Sequence, residues 1–268
     1  MLNFFHNYNP EPILVTIGSV SIHWYGLILA LGILLGFGLA IKLARQRSFD
    51  SELITAIYTN LIIWGFIGAR LYHVLGDWAY YWQNPAKIIA VWEGGLAIHG
   101  GIIAGVITLY YYAARHKVNF WALADLFSLP LILGQALGRW GNYFNQELFG
   151  KPTSLPWGIP IQIQNRPAEY IASNYFHPVF FYESLWDFLA LGALYYLWTK
   201  NKNRLGFVFW AYITLFSLGR LLVEILRVNQ TPIVFGYRWP ALVSLALFLA
   251  GGFYLFNKQR RSQASGTQ

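Results

Sequence analysis

SVSIHWYGLILALGILLGFGLAI, residues 19–41, contains no Asp, Glu, Lys or Arg. A helix of roughly 20 such residues crosses the roughly 30 Å of hydrocarbon in a bilayer. Residues 96–114 (LAIHGGIIAGVITLYYYAA) and 239–257 (WPALVSLALFLAGGFYLFN) are equally free of those four residue types. None of the three runs alternates apolar and polar residues with period two, which argues against a membrane β-barrel. The rest of the chain agrees. Of its 268 residues, 56% are hydrophobic and only 11% charged, against roughly 25% charged in soluble domains.

Outward from these runs, the expected fold is all-α: a polytopic membrane protein with seven transmembrane helices. The spans are expected at 19–43, 53–75, 96–115, 120–138, 178–199, 206–227 and 239–257. Residues 1–257 then form a single integral membrane domain. The long connection 139–177, rich in Pro, Asn and Trp, is expected to be a small outer-face (periplasmic) subdomain between the fourth and fifth spans. Residues 258–268 are expected to be a disordered polar tail in the cytoplasm. No cleavage-site pattern precedes the first span, so it is read as a retained helix rather than a signal peptide.

The charge distribution sets the orientation. Eleven of the 19 Lys and Arg flank one set of helix ends: Lys42, Arg45, Arg47, Arg115, Lys117, Lys200, Lys202, Arg204, Lys258, Arg260 and Arg261. Positive residues face the cytoplasm, which places the N-terminus outside and the C-terminus inside. The net charge of +8 is therefore a topology signal and not evidence for nucleic acid. Cysteine is absent, which excludes disulfides, thiolate metal sites and a cysteine nucleophile on this chain. Nothing implies a metal or organic cofactor.

Ionisable residues inside spans are costly and usually face a bundle interior or a wet cavity. Here they are His23, Arg70, His73, His99, Asp125, Glu183, Asp187, Arg220, Glu224 and Arg227. Arg220, Glu224 and Arg227 are spaced to share one helix face, so the glutamate can pair with either guanidinium. That pairing either ties helices together or leaves surplus positive charge for an anionic ligand. For Arg70, His73, Glu183 and Asp187, bonding between neighbouring helices is the simpler reading. His99 follows Gly94 and Gly95, and a helix starting near Leu96 would disfavour its charged form through the helix dipole. The densest constellation is GRWGNYFNQELFG, residues 138–150, which packs Arg139, Asn142, Asn145 and Glu147 between glycines at an expected membrane exit.

GRWGNYFNQELFG resembles the signature of the prolipoprotein diacylglyceryl transferase family, Gly-Arg-x-Gly-Asn-Phe-x-Asn-x-Glu-x-x-Gly, with Tyr143 in place of phenylalanine. HWYG at 23–26, GGLAIHGG at 94–101, HPVFFYE at 177–183 and RLLVEILR at 220–227 resemble family segments in the same order. The resemblance implies a seven-span enzyme of the bacterial cytoplasmic (inner) membrane. It would transfer the diacylglyceryl group of phosphatidylglycerol to the lipobox cysteine thiol in a prolipoprotein signal peptide, releasing glycerol phosphate. The implied partners are these two substrates and membrane lipid. The implied essential positions are Tyr25, His99, Arg139, Asn142, Glu147, Gly150, Arg220, Glu224 and Arg227. One departure is Phe216, four residues before Arg220, where many members carry tyrosine; Tyr212, one turn further back, is a possible substitute.

Arginine suits phosphate, which its planar fork binds through two oxygens while staying charged. Arg139 and Arg220 are therefore the expected phosphate clamp, oriented by Glu224 and Glu147. Asn142 is expected to bind glycerol hydroxyls. His99 is the candidate base for a thiol that titrates near 8.5 when free. The rival reading is a seven-span transporter or lipid-binding protein using the same arginines as an anion site. An intramembrane protease lacks support, since neither Gly-x-Ser-x-Gly nor His-Glu-x-x-His occurs.

Overall fold

The computed structural model describes residues 2–229 and 231–264. Among them the chain runs α1 (Leu2–Asn7), β1 (Ile13–Ile17), β2 (Val20–His23), α2 (Trp24–Gln46), α3 (Ser51–Gly76), α4 (Trp78–Gln83), α5 (Ile98–Arg115) and α6 (Phe120–Phe144). It continues through β3 (Ile159–Pro160), β4 (Tyr175–Phe176), α7 (Val179–Lys200), α8 (Phe207–Glu224), β5 (Ile233–Val234), β6 (Tyr237–Arg238) and α9 (Trp239–Ala264). The protein is mostly helical. Five of its described helices are long and apolar enough to cross a membrane: α2, α3, α6, α8 and the Trp239–Lys258 part of α9. The other two expected spans are also continuous helices. However, α5 is diluted by His99, three glycines and three tyrosines, and α7 by Glu183 and Asp187.

Three expected boundaries move. The first helix begins at Trp24 because residues 20–23 pair antiparallel with 13–17 as a hairpin, turned by Gly18 at φ +60. The fourth helix runs on to Phe144, so half of the 138–150 signature is helical. The last helix continues to Ala264, so the first residues of the expected tail are ordered; residues 265–268 lie outside the described residues.

The chain forms two compact units, residues 37–127 and residues 1–36 with 128–268. In the first, α3 packs on α5 through glycine. A Cβ on Gly100 would lie 2.1 Å from the Gly68 carbonyl oxygen, and one on Gly68 would lie 2.6 Å from the Gly100 oxygen. Only glycine allows two backbones so close, as in membrane helix pairs. Arg70 on α3 is saturated by carbonyls: it donates to Ile88, Gly94, Gly95 and Lys87, with Ala90 at 3.4 Å. It pins the segment leading into α5 and has a structural role. Asp125 is fully buried and electrostatically coupled to Arg47.

In the second unit, the 145–177 connection has its own core. Phe149, Ile159, Ile161 and Phe176 bury against Tyr143 of α6 and Phe180 of α7, flanked by Phe5 and Trp140. Each buried side chain contributes about 1.5–3 kcal/mol, which helps hold the connection against the ends of α6 and α7. Gln146 fastens it. Its amide donates to the Pro10 carbonyl at 2.7 Å and accepts from the Gln162 backbone at 2.7 Å and the Asn165 side chain at 3.3 Å.

Candidate functional site: an arginine–carboxylate cluster

Three helices converge where α6 ends, α7 begins and α8 ends. Ser184 joins α6 to α7, donating to the Ala136 carbonyl at 2.9 Å and accepting from the Trp140 indole at 3.1 Å. On the other side, Gly219 of α8 leaves room for Trp186, whose ring carbon would lie 2.3 Å from a Cβ there. The Trp186 indole donates to the Leu215 carbonyl at 2.8 Å.

Glu183 is the hub. It is only 4% exposed, and it meets Arg139 Nε at 3.1 Å, Arg220 Nη1 at 2.6 Å and Arg227 Nη2 at 3.1 Å. Glu224 holds Arg220 Nη2 at 3.3 Å and Arg238 Nε at 2.8 Å. Arg238 also donates to the carbonyls of Arg227 and Asn229. Asp187 lies one turn along α7 from Glu183 and is equally buried. Four guanidiniums thus face three carboxylates, leaving net positive charge in a partly dry place. Arg139, Glu183, Trp186, Asp187, Phe216 and Arg220 line one small cavity.

The 138–150 signature supplies the neighbouring turn. The Asn142 and Asn145 amides donate to Glu147 Oε1 at 3.0 and 3.3 Å. Gln146 and Leu148 adopt φ +52 and +56, conformations uncommon outside glycine that mark a tightly determined loop. Tyr25, at the start of α2, lays its ring over Gly141, where a Cβ would meet it at 2.5 Å. Gly150 bridges to Arg227 and donates to the His177 carbonyl at 3.0 Å. A Cβ on Gly150 would press on His177 and Val179, each at 2.8 Å.

Several expectations change. Arg139 and Arg220 come together as expected, but Glu183 orients Arg139, while Glu147 instead binds the two asparagines. The helix carrying Arg220 stops at Glu224, so Arg227 leaves the shared face and turns to Glu183. Glu183, expected to bond neighbouring helices, does so by joining α7 to Arg139 of α6 and Arg220 of α8, and it stands at the centre of the arginine cluster. The Tyr212 hydroxyl accepts from the Gln135 amide nitrogen at 3.0 Å, and its ring stacks beside Phe216 without lining the cavity. His99 belongs to the 37–127 unit, where it is exposed as the second residue of α5, its ring 5.8 Å from that of Tyr72.

A helical membrane protein that gathers four arginines, one buried and three half-buried, on fewer carboxylates beside a cavity has the equipment to hold an anionic group. Comparison with known proteins narrows that class. Residues 12–257 match the family described as prolipoprotein diacylglyceryl transferase, and the chain belongs to that family. It is 42% identical to the phosphatidylglycerol--prolipoprotein diacylglyceryl transferase of Nostoc sp., covering 94% of this chain and 92% of the relative. It is 45% identical to the protein of the same name from Synechococcus elongatus, over 83% of this chain and 78% of the relative.

Proposed function

We propose that this protein transfers the diacylglyceryl group of phosphatidylglycerol to the lipobox cysteine of a prolipoprotein, releasing glycerol phosphate as the first step of lipoprotein maturation. The observation that carries the site assignment is the sharing of Glu183 by Arg139 and Arg220 at the wall of one cavity. A carboxylate holding two guanidiniums fixes their forks without neutralising both. Their remaining donors can bind phosphate oxygens and stabilise the charge that builds on the leaving group. Arg227 and Glu224 set the position of Arg220. Asn142, held by Glu147, is assigned to hydroxyls of the glycerol head group, and Tyr25 and Gly150 to substrate binding, as the family resemblance implies.

The basic helix flanks, the family and the long α5 and α7 support seven spans in a bacterial inner membrane, with the N-terminus and the 145–177 subdomain outside. The test uses purified protein, labelled phosphatidylglycerol and a lipobox peptide. Lipidated peptide and stoichiometric glycerol phosphate are expected. Lipid binding without product would favour a lipid-binding or transport role for the same arginines.

A further inference from the structure

The three carboxylates of the cluster are not equivalent. Glu183 is held by three arginines and Glu224 by two. Both carboxylates thus have oxygens already engaged by guanidinium donors. Asp187 is 3% exposed, yet among the described residues its Oδ2 has neither a hydrogen bond nor an ion pair. Leaving a buried carboxylate oxygen unpaired is costly, so this oxygen calls for a partner, whether ordered water, a ligand or a reacting group. Asp187 also lines the cavity shared by Arg139 and Arg220.

Its position along α7 adds direction. Helices rise about 1.5 Å per residue, so Asp187 lies about 6 Å further than Glu183 from the end of α7 that meets the 145–177 subdomain. In a phospholipid whose phosphate rests on Arg139 and Arg220, the glycerol carbon that is attacked lies on that deeper side. Sulfur must approach that carbon opposite the departing phosphate oxygen, deeper still.

We infer that Asp187 accepts the proton of the lipobox thiol during transfer; this rests on the proposed activity. The sulfur–carbon bond forms as the carbon–oxygen bond breaks, and its electron pair leaves with glycerol phosphate. The thiol proton moves to Asp187 Oδ2 and from there to the departing phosphate or to water. The charged and titratable groups facing Asp187 are Arg139 on α6, Glu183 on its own helix, and Arg220 and Tyr212 on α8. Of these, the two arginines also favour the thiolate as it forms.

The experiment compares wild type, Asp187→Asn, Asp187→Glu and His99→Gln in detergent. Transfer from phosphatidylglycerol to the lipobox peptide is followed from pH 6 to 9. Asp187→Asn is expected to lose at least about 100-fold at pH 7. Its rate should then climb about tenfold per pH unit towards the free-thiol pKa near 8.5, with KM for the lipid within threefold of wild type. Asp187→Glu should recover part of the rate and the wild-type profile. The inference is overturned if Asp187→Asn stays within threefold of wild type at pH 7. It is also overturned if the rate drops uniformly with an unchanged pH profile, or if the altered profile appears in His99→Gln instead. Absence of product from wild type would remove the proposed activity itself, and the inference with it.

Discussion

Replacing Glu183 with glutamine keeps the size of the side chain and removes the one charge that three arginines share. Arg220 retains Glu224 at 3.3 Å, and Arg139 borders the cavity. Arg227 is different: it is 5% exposed and makes no other ion pair among the described residues. Breaking a buried pair by deleting one partner costs about 3–5 kcal/mol, chiefly because the remaining charge is left uncompensated. At about 2–4 °C per kcal/mol for a chain of this size, the thermal midpoint should fall by on the order of 10 °C. Tryptophan fluorescence during heating in detergent reads it directly. The second arm is Arg227→Gln together with Glu183→Gln. Removing the stranded cation should restore part of the loss, a coupling of at least about 1 kcal/mol. A Glu183→Gln midpoint within 2 °C of wild type, or strictly additive losses in the double variant, would refute the hub.

Arg139→Lys keeps the charge but loses the fork on Glu183 and on phosphate; transfer should fall about 100-fold or more with the folded state intact, whereas near-normal turnover would remove Arg139 from the clamp. Gly150→Ala forces a methyl against His177 and Val179 at 2.8 Å and should cost about 1–3 kcal/mol in heat or denaturant unfolding; a neutral effect would mean that this crossing can open. Burial holds His177 below its usual pKa of 6.5, so the fold prefers it neutral. That stabilisation is complete above pH 6.5 and is lost as pH falls through the lowered value, so the midpoint should decline on acidification in wild type more than in His177→Gln.

How much of this could be read from sequence depends on the range of the interaction. Uncharged runs declare themselves, and so α2 and α9 are legible from residues 19–41 and 239–257. The hairpin at 13–23 is not, because its apolar strands merge into the first run and only Gly18 marks the turn. The arginines of the cluster stand out as charges in apolar surroundings. Glu183 does not, since nothing local reveals that a residue on α7 will meet one arginine from α6 and two from the α8 end. Arg70 shows the opposite case. Its position within a helix suggested a buried polar role, but its partners are backbone carbonyls, which carry no sequence signature. The i, i+4 spacing of Arg220 and Glu224 is met by their ion pair, whereas the i, i+3 spacing of Glu224 and Arg227 fails because spacing presumes a continuing helix, and α8 ends at Glu224.

The Gln146 clasp has a consequence for biogenesis. Its side chain reaches a carbonyl 136 residues earlier in the chain, and Phe5 completes a core whose other members come from residues 140–181 and Val228. Pro10 therefore meets its mate, 136 residues on, only after α2, α3, α5 and α6 have been made. Long-range closures of this kind come late in assembly. Shortening the chain to start at residue 11 would leave Gln146 and the aromatic core of the 145–177 subdomain without their lid, so the damage would surface far from the cut.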